Sequence, residues 1–133
     1  QVTSGACSIS QKAAYAAITS GKEPSKKMTQ AFLRRRDLVL EKLGQIAGIK
    51  QYTPHGAFYV FPDVSAYFGT KADGRQINTA EDLCFYMLEE ANVALVPGNA
   101  FGSPNNIRIS YATSDEALEK AFERISEYLN RLH

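Results

Sequence analysis

Hydrophobic and polar positions follow a helical period in the first third of the chain. Small and apolar residues over 8–18 predict a first helix, with Ser8 as its cap and Gly21 as its stop. After a predicted turn at GKEPSKK, residues 25–43 predict a second, longer helix. Its apolar residues recur at intervals of three, four and seven, which predicts one buried stripe. The stripe consists of Met28, Phe32, Val39, Leu43 and Ile46.

The middle of the chain changes to short strand patterns and then returns to a helix. Residues 49–53 and 57–61 predict two strands, and Pro54-His55-Gly56 between them favours a hairpin turn. Residues 67–78 predict a surface loop. Thr79 and Asp82 have the spacing of a capping box, which predicts a helix through residue 91. Its inward residues are predicted to be Leu83, Tyr86, Met87 and Ala91.

The last third predicts two strands and a final helix. VALVPG is typical of a short buried strand, NAFGSPNN of a loop, and NIRISYA of a second strand. Thr113 with Glu116 predicts another capping box. The helix after it has apolar residues at near-ideal spacing, namely Leu118, Ala121, Phe122, Ile125, Leu129 and Leu132. The order α, α, β, β, α, β, β, α predicts an α+β fold, with helices covering one face of a small, mainly antiparallel sheet.

Composition narrows the class of protein. The 133 residues fit one domain, and 44% hydrophobic with 22% charged residues is ordinary for a globular protein. A net charge of +1 gives no sign of a nucleic-acid or membrane partner. No apolar run approaches the roughly 20 residues that cross a bilayer, so we predict a soluble protein, and the cysteine content predicts a cytoplasmic one. Cys7 and Cys84 are predicted to be buried, reduced thiols.

The charged and titratable residues offer few candidates for chemistry. Arg34, Arg35 and Arg36 are predicted to lie on a solvated helix surface and to pair within the helix with Asp37 and Glu41. No glycine-rich phosphate loop, no nucleophile elbow and no metal-ligand spacing occurs in the sequence. The two histidines are best interpreted as a turn residue at position 55 and a disordered terminal residue at position 133.

Arg108 is the exception, because it lies inside the predicted strand NIRISYA. Period-two alternation places Ile107, Ile109 and Tyr111 on one face and Arg108 on the other. A guanidinium is a planar fork of donors that binds a carboxylate or phosphate through two parallel hydrogen bonds. The alternative is an exposed arginine on the wet face of an ordinary antiparallel sheet. Spacing alone leaves both interpretations open.

A second pattern, GAFYVF, has a different alternative. Exposed aromatic residues on a strand stack on bases in RNA-recognition domains. However, no basic residue flanks this segment, no second aromatic strand accompanies it, and the net charge is near zero. A strand buried on both faces is the simpler interpretation.

Five segments together carry a resemblance to a known family. They are QVTSGACSISQKAA, RRRDLVLEKL, PHGAFYVFPDVS, VALVPGNAFG and IRISYATSDEALEKAFERI. In this order and spacing they resemble the C-terminal small domain of class I, fold-type I pyridoxal-phosphate-dependent aminotransferases, especially the aspartate aminotransferases of bacteria. The resemblance implies a connecting helix stub over 1–21 and the small domain over 22–133.

The resemblance also implies roles for single residues. The arginine of the RISYA strand binds the α-carboxylate of the substrate in that family, and Arg108 takes the matching place. GAFYVF lies beside the substrate entrance and VPGNAFG leads toward the site, so Phe58 and Phe101 are candidates for lining the pocket. Packing in the core is the alternative for each of these two phenylalanines.

Finally, the resemblance implies that this chain lacks the cofactor-binding groups of the family. The full-length enzyme uses pyridoxal 5'-phosphate, whose Schiff-base lysine and binding groups lie upstream of QVTSGACSISQ in the family. The lysines present here do not match that lysine's context. The chain begins at Gln1 without an initiator methionine, so we expect a fragment. It should have no catalytic, cofactor-binding or metal-binding residue, bind no cofactor and be inactive alone.

The implied partners are amino-acid and 2-oxo-acid substrates, the large domain of the same protein, and a second copy in a homodimer. No nucleic acid or membrane is expected. A stand-alone amino-acid-binding regulatory module is the alternative function, because such a module would also use an arginine to hold a carboxylate.

Overall fold

A computed structural model describes residues 4–72 and 74–133. The chain divides into two compact units, Gln1–Leu33 and Arg34–His133. The first unit contains helix α1, Ser8–Ser20, and the start of helix α2, Lys22–Gly44. The second unit contains the rest of the secondary structure. The predicted boundary between a stub over 1–21 and a small domain over 22–133 stays a prediction.

The sequence predicted the C-terminal end of α1 correctly but not its N-terminal cap. Its N-cap is Cys7 and not Ser8, and the Cys7 side chain makes no capping hydrogen bond. At the other end Gly21 is the C-cap, as predicted, and its N–H donates to the carbonyl of Ala17. The predicted turn at GKEPSKK is wrong, because α2 begins at Lys22. Pro24 is tolerated there, since backbone N–H groups in a first helical turn have no helical acceptor.

The predicted stripe along α2 is confirmed only in its C-terminal half. Val39 and Leu43 are fully buried, and Ile46 is buried just beyond the helix end. Met28 is 60% exposed, so its prediction as a buried residue is wrong. Helical spacing alone does not show how far along a helix the protein core extends.

Helices α3, Ala80–Glu89, and α4, Asp115–Leu129, follow the predictions closely. The capping box of Thr79 and Asp82 is complete, with both reciprocal hydrogen bonds formed. The cap of α4 is Ser114, whose hydroxyl accepts from the N–H of Ala117, so the predicted box at Thr113 is wrong by one residue. Residues predicted to face inward are buried along both helices: Leu83, Tyr86 and Met87 in α3, and Leu118, Phe122, Ile125 and Leu129 in α4. Helix α3 ends at Glu89 and not at residue 91 as predicted, although Ala91 is buried; Ala121 and Leu132 are half-buried.

The main sheet has three antiparallel strands. They are β1, Tyr59–Val60; β4, Val96–Pro97; and β5, Ile107–Ser110, in the order β1-β5-β4. Strands β2, Lys71–Ala72, and β3, Arg75–Gln76, form a separate antiparallel pair. The predicted α+β class with a small antiparallel sheet is confirmed.

Local pairing in the middle of the chain departs from the prediction. Residues 49–53 form a single bridge, between Lys50 and Asp63, and β1 pairs with β5 instead of forming the predicted hairpin. Ala57 adopts a left-handed conformation with φ of 63°, so the Pro-His-Gly segment is not followed by a regular strand at once. Segment 67–78 was predicted as a loop but contains β2 and β3.

Two predictions about single residues are also corrected. His133 was predicted to be disordered, but its backbone N–H and carbonyl both bond to the backbone of Lys71, at 3.2 and 2.8 Å. Cys7 was predicted to be buried and is exposed. Cys84 is buried as predicted, and burial raises the pKa of its thiol to about 12.

Candidate functional site

The two faces of β5 have different surroundings. Ile107 and Ile109 are buried, and Val60 of β1 lies opposite Ile109 on the same buried face. On the other face Arg108 is half-buried and Ser110 is exposed, with Tyr59 of β1 opposite Ser110. The predicted alternation is confirmed, and it directs the Arg108 side chain away from the core.

Two aromatic rings flank the Arg108 guanidinium. Its Cζ atom lies 5.7 Å from the centroid of the Tyr59 ring and 5.0 Å from that of the Phe101 ring. Tyr59 reaches the guanidinium because diagonal neighbours on adjacent antiparallel strands are within range of long side chains. Both distances are within the range of attraction between a cation and an aromatic face.

Phe101 is supplied by a 3-10 turn, Gly98–Phe101, which we call the Phe101 turn. Backbone hydrogen bonds close it at both ends: Gly98 N–H donates to the Asn106 carbonyl at 2.7 Å, and Ser103 N–H donates to the Gly98 carbonyl at 3.0 Å. A Cβ atom at position 98 would lie 2.1 Å from the Ser103 carbonyl oxygen. The turn therefore requires glycine there. Phe61 supports the Phe101 ring edge-on, with centroids 6.0 Å apart.

Arg108 forms no ion pair with an acidic side chain in residues 4–72 and 74–133. Its neighbours on this face carry no charge: two are the aromatic rings, and the others are Ser110 and Val96 of β4, which lies directly opposite Arg108. A guanidinium is always protonated and has five N–H donors. The positive charge and the donors of Arg108 are thus available to an anion from outside the described chain.

A cleft of about 450 Å³ lies beside these aromatic residues. Its lining combines aromatic rings with small neutral polar groups and contains no charged side chain. One of these groups, the Asn106 amide, donates to the Phe61 carbonyl at 2.9 Å and so links two residues of the lining. The cleft is lined by Tyr52, Thr53, Pro54, Tyr59, Phe61, Ser103 and Asn106.

The structure separates the two phenylalanines that the sequence analysis singled out. Phe101 is 51% exposed and contacts Arg108 directly. Phe58 is 50% exposed and packs edge-on against Tyr59, with centroids 5.9 Å apart, so it is connected with Arg108 through that ring. Neither is a fully buried core residue. Their role in lining a substrate pocket stays a prediction.

Tyr59 was not recognised as a site residue from the sequence. Its approach to Arg108 depends on the pairing of β1 with β5. These strands are about 50 residues apart in the sequence, a long-range pairing that no local pattern specifies. The sequence could have indicated Tyr59 only if the register of GAFYVF with the arginine strand were known, because that register places Tyr59 on the same face as Arg108.

The arginine run on α2 also has partners that the sequence did not predict. Arg34 and Arg35 both bind Asp115, the first residue of α4, at 3.0 and 2.9 Å. Hydrogen bonds from Arg35 first and Arg34 second hold the pKa of Asp115 below its usual value. Arg36 pairs with its neighbour Asp37. The predicted pairing within the helix is wrong for the first two arginines, which connect two helices instead.

The cleft beside Tyr59 does not by itself fit pyridoxal phosphate. No lysine lines the cleft, so no amine is placed there to form an imine with an aldehyde. Over the described residues, no group of three or more histidine, cysteine, aspartate or glutamate side chains is arranged to hold a metal. None of the described helices has the length and hydrophobicity to cross a membrane.

Residues 1–125 match the family model of aminotransferase class I and II. The chain therefore belongs to this family, and the resemblance found in its sequence is confirmed. The bifunctional aspartate aminotransferase and glutamate/aspartate-prephenate aminotransferase of Petunia hybrida is 50% identical over 133 residues. That match covers 97% of this chain and 28% of the Petunia protein.

Bacterial aspartate aminotransferases are also similar. The enzyme of Geobacillus stearothermophilus is 45% identical over 130 residues, covering 96% of this chain and 31% of its own. The crystal structure of the aspartate aminotransferase from Rhizobium meliloti superposes with a TM-score of 0.94 and 44% identity, covering 100% of this chain and 34% of that one. The chain thus spans about a third of the length of the relatives it matches.

Proposed function

We propose that this chain provides the substrate-carboxylate-binding part of a pyridoxal-phosphate-dependent aminotransferase. The whole enzyme would exchange an amino group between an amino acid and a 2-oxo acid. The observation that carries the proposal is Arg108 in a member of this family: a guanidinium directed away from the core, flanked by two rings and without an ion pair in the described residues.

The chemistry of Arg108 suits an α-carboxylate. Two parallel N–H donors match the two oxygens of a carboxylate, and this pairing fixes both the position and the plane of the bound group. Fixing that group orients the adjacent Cα bonds, which is the contribution that a binding residue makes to rate. Every amino acid and every 2-oxo acid carries this carboxylate, so one arginine serves both substrates.

The cofactor belongs to the proposal for the whole enzyme. The family implies pyridoxal 5'-phosphate, which acts as an electron sink when bound. Because no lysine lines the cleft beside Tyr59, we assign this chain substrate binding and no covalent step. It follows that the chain alone should not transaminate. Aspartate is the proposed amino donor, because aspartate aminotransferases are prominent among the similar proteins. A cytoplasmic homodimer is the proposed state of the whole enzyme.

The substitution Arg108→Lys in the full-length enzyme tests the proposal. Lysine keeps the charge and loses the paired donors. Since hydrogen bonds to charged groups contribute about 1.5–3 kcal/mol, we expect the KM values for L-aspartate and for the 2-oxo acid to rise about tenfold or more. Arg124→Lys, on the exposed side of α4, is the matched control. Unchanged steady-state kinetics for Arg108→Lys would refute the proposal.

Titration of the 133-residue chain with L-aspartate separates this function from a stand-alone regulatory module. A substrate-binding part that depends on the rest of an enzyme should bind the amino acid weakly or not at all. Tight binding by the chain alone, abolished by Arg108→Leu, would favour the regulatory module.

A further inference from the structure

Tyr59 and Phe101 together restrict the Arg108 side chain more than a sheet surface alone would. The two rings reach the guanidinium from different elements, one from β1 and one from the Phe101 turn. Both carriers are fixed: β1 by its pairing with β5, and the turn by the hydrogen bonds of Gly98 and Ser103. Each ring also packs edge-on against another ring, Tyr59 against Phe58 and Phe101 against Phe61, and the two rings limit where the guanidinium can move.

Flanking rings also affect which donors remain free. A guanidinium over an aromatic face is attracted to the ring through its charge, while its N–H groups extend from the edge of the plane. The rings provide no carboxylate that would compete for those donors. The polar surroundings of a typical surface arginine, by contrast, would satisfy them before any ligand arrives.

We infer that Tyr59 and Phe101 are positioning residues that hold the Arg108 fork in the orientation needed to bind the substrate carboxylate. This inference rests on the proposed function, because it assigns the rings a role through Arg108. A pre-positioned arginine loses less conformational freedom on binding, so the rings strengthen carboxylate binding without touching the substrate.

The test uses paired substitutions in the full-length holoenzyme, assayed with L-aspartate and 2-oxoglutarate. Phe101→Leu and Tyr59→Leu remove a ring, while Phe101→Tyr and Tyr59→Phe keep it. We expect each leucine variant to lower kcat/KM about tenfold, mainly through KM, and each ring-retaining variant to stay within about twofold of wild type. Phe85→Leu is the matched control, because Phe85 is 53% exposed on α3 and Phe101 is 51% exposed.

A double-mutant cycle with Arg108→Leu distinguishes positioning from a structural role. If the rings act through Arg108, Phe101→Leu has no further effect on KM once Arg108 is leucine. An equal loss in both backgrounds would overturn the inference, as would Phe101→Leu and Tyr59→Leu kinetics matching wild type while Arg108→Leu raises KM. If Arg108→Leu itself leaves KM unchanged, the proposed function fails, and the positioning role fails with it. Should Phe101→Leu not fold, Tyr59→Leu provides the same cycle from the other ring.

Discussion

Arg108 differs from most arginines of the described chain in what surrounds it. Five others lie within ion-pair distance of a carboxylate: Arg34, Arg35, Arg36, Arg75 and Arg131. Arg108 contacts rings instead, and a guanidinium is weakly hydrated enough to tolerate this. Since each of those five arginines has a carboxylate partner within the chain, they are interpreted as surface and helix-linking residues. The environment of a residue, and not its type, identifies the candidate site.

The two cysteines provide a test at the same scale. Cys84 is buried with a pKa raised to about 12, so it has almost no thiolate near neutral pH. Cys7 is exposed, and hydrogen bonds from Ser10 lower its pKa. Since the thiolate is the reactive form, we expect one fast-labelling thiol per chain at pH 7.5, with labelling that slows as pH falls. Cys7→Ser should abolish the fast phase, and Cys84→Ser should leave it intact; the reverse would show that Cys84 is accessible.

At the scale of elements, the sequence predicted those helices and strands whose pattern of buried residues is contained within the element itself. Helices α3 and α4 and strand β5 each have one buried face and a regular spacing of apolar residues, which the sequence displays directly. Residues 49–53 form only the bridge between Lys50 and Asp63, and β1 pairs with β5, which is distant in the sequence. Local sequence patterns do not specify such pairings. The place of Arg108 on the face of β5 away from the core was predictable, because the alternation within β5 specifies it. The contribution of Tyr59 was not predictable, because it depends on the long-range pairing of β1 with β5.

The contact of α2 with α4 gives a prediction at this scale. Asp115 accepts hydrogen bonds from both Arg34 and Arg35, and its pKa is lowered. A lowered pKa in the folded state means stability that is present above the unfolded pKa of about 3.9 and lost as pH falls through the folded value. We expect Asp115→Asn to reduce the melting temperature at pH 7, and the difference from wild type to shrink as the pH is lowered from 7 through about 3.9 and below. Glu119→Gln, on an exposed part of α4, is the control. A constant difference across this range would show that charge is not the cause.

At the scale of the whole molecule, this chain belongs to the aminotransferase class I and II family and spans about a third of the length of the relatives it matches. The sequence resemblance predicted the family because several separated segments agree in order. It could not test the domain boundary, the oligomeric state or the substrate, since these depend on groups outside the described residues. The high superposition with the Rhizobium meliloti structure nonetheless makes an exchange of parts reasonable.

We predict that replacing the matching third of the Rhizobium meliloti enzyme with this chain yields an active chimaera. The TM-score of 0.94 shows that the two backbones follow closely similar paths. Aspartate transamination should be measurable for the chimaera and absent for the 133-residue chain alone. A chimaera carrying Arg108→Leu is the control and should lose most of the activity. Activity of the isolated chain would contradict the role assigned to it here.

The glycine of the Phe101 turn has a consequence for protein engineering. Position 98 has no room for any side chain, but the next two positions, Asn99 and Ala100, are exposed. A library of variants can therefore change positions 99 and 100 while the glycine at 98 and the ring at 101 are kept. Selection on such a library would tune the rim of the site without disturbing the sheet that holds Arg108.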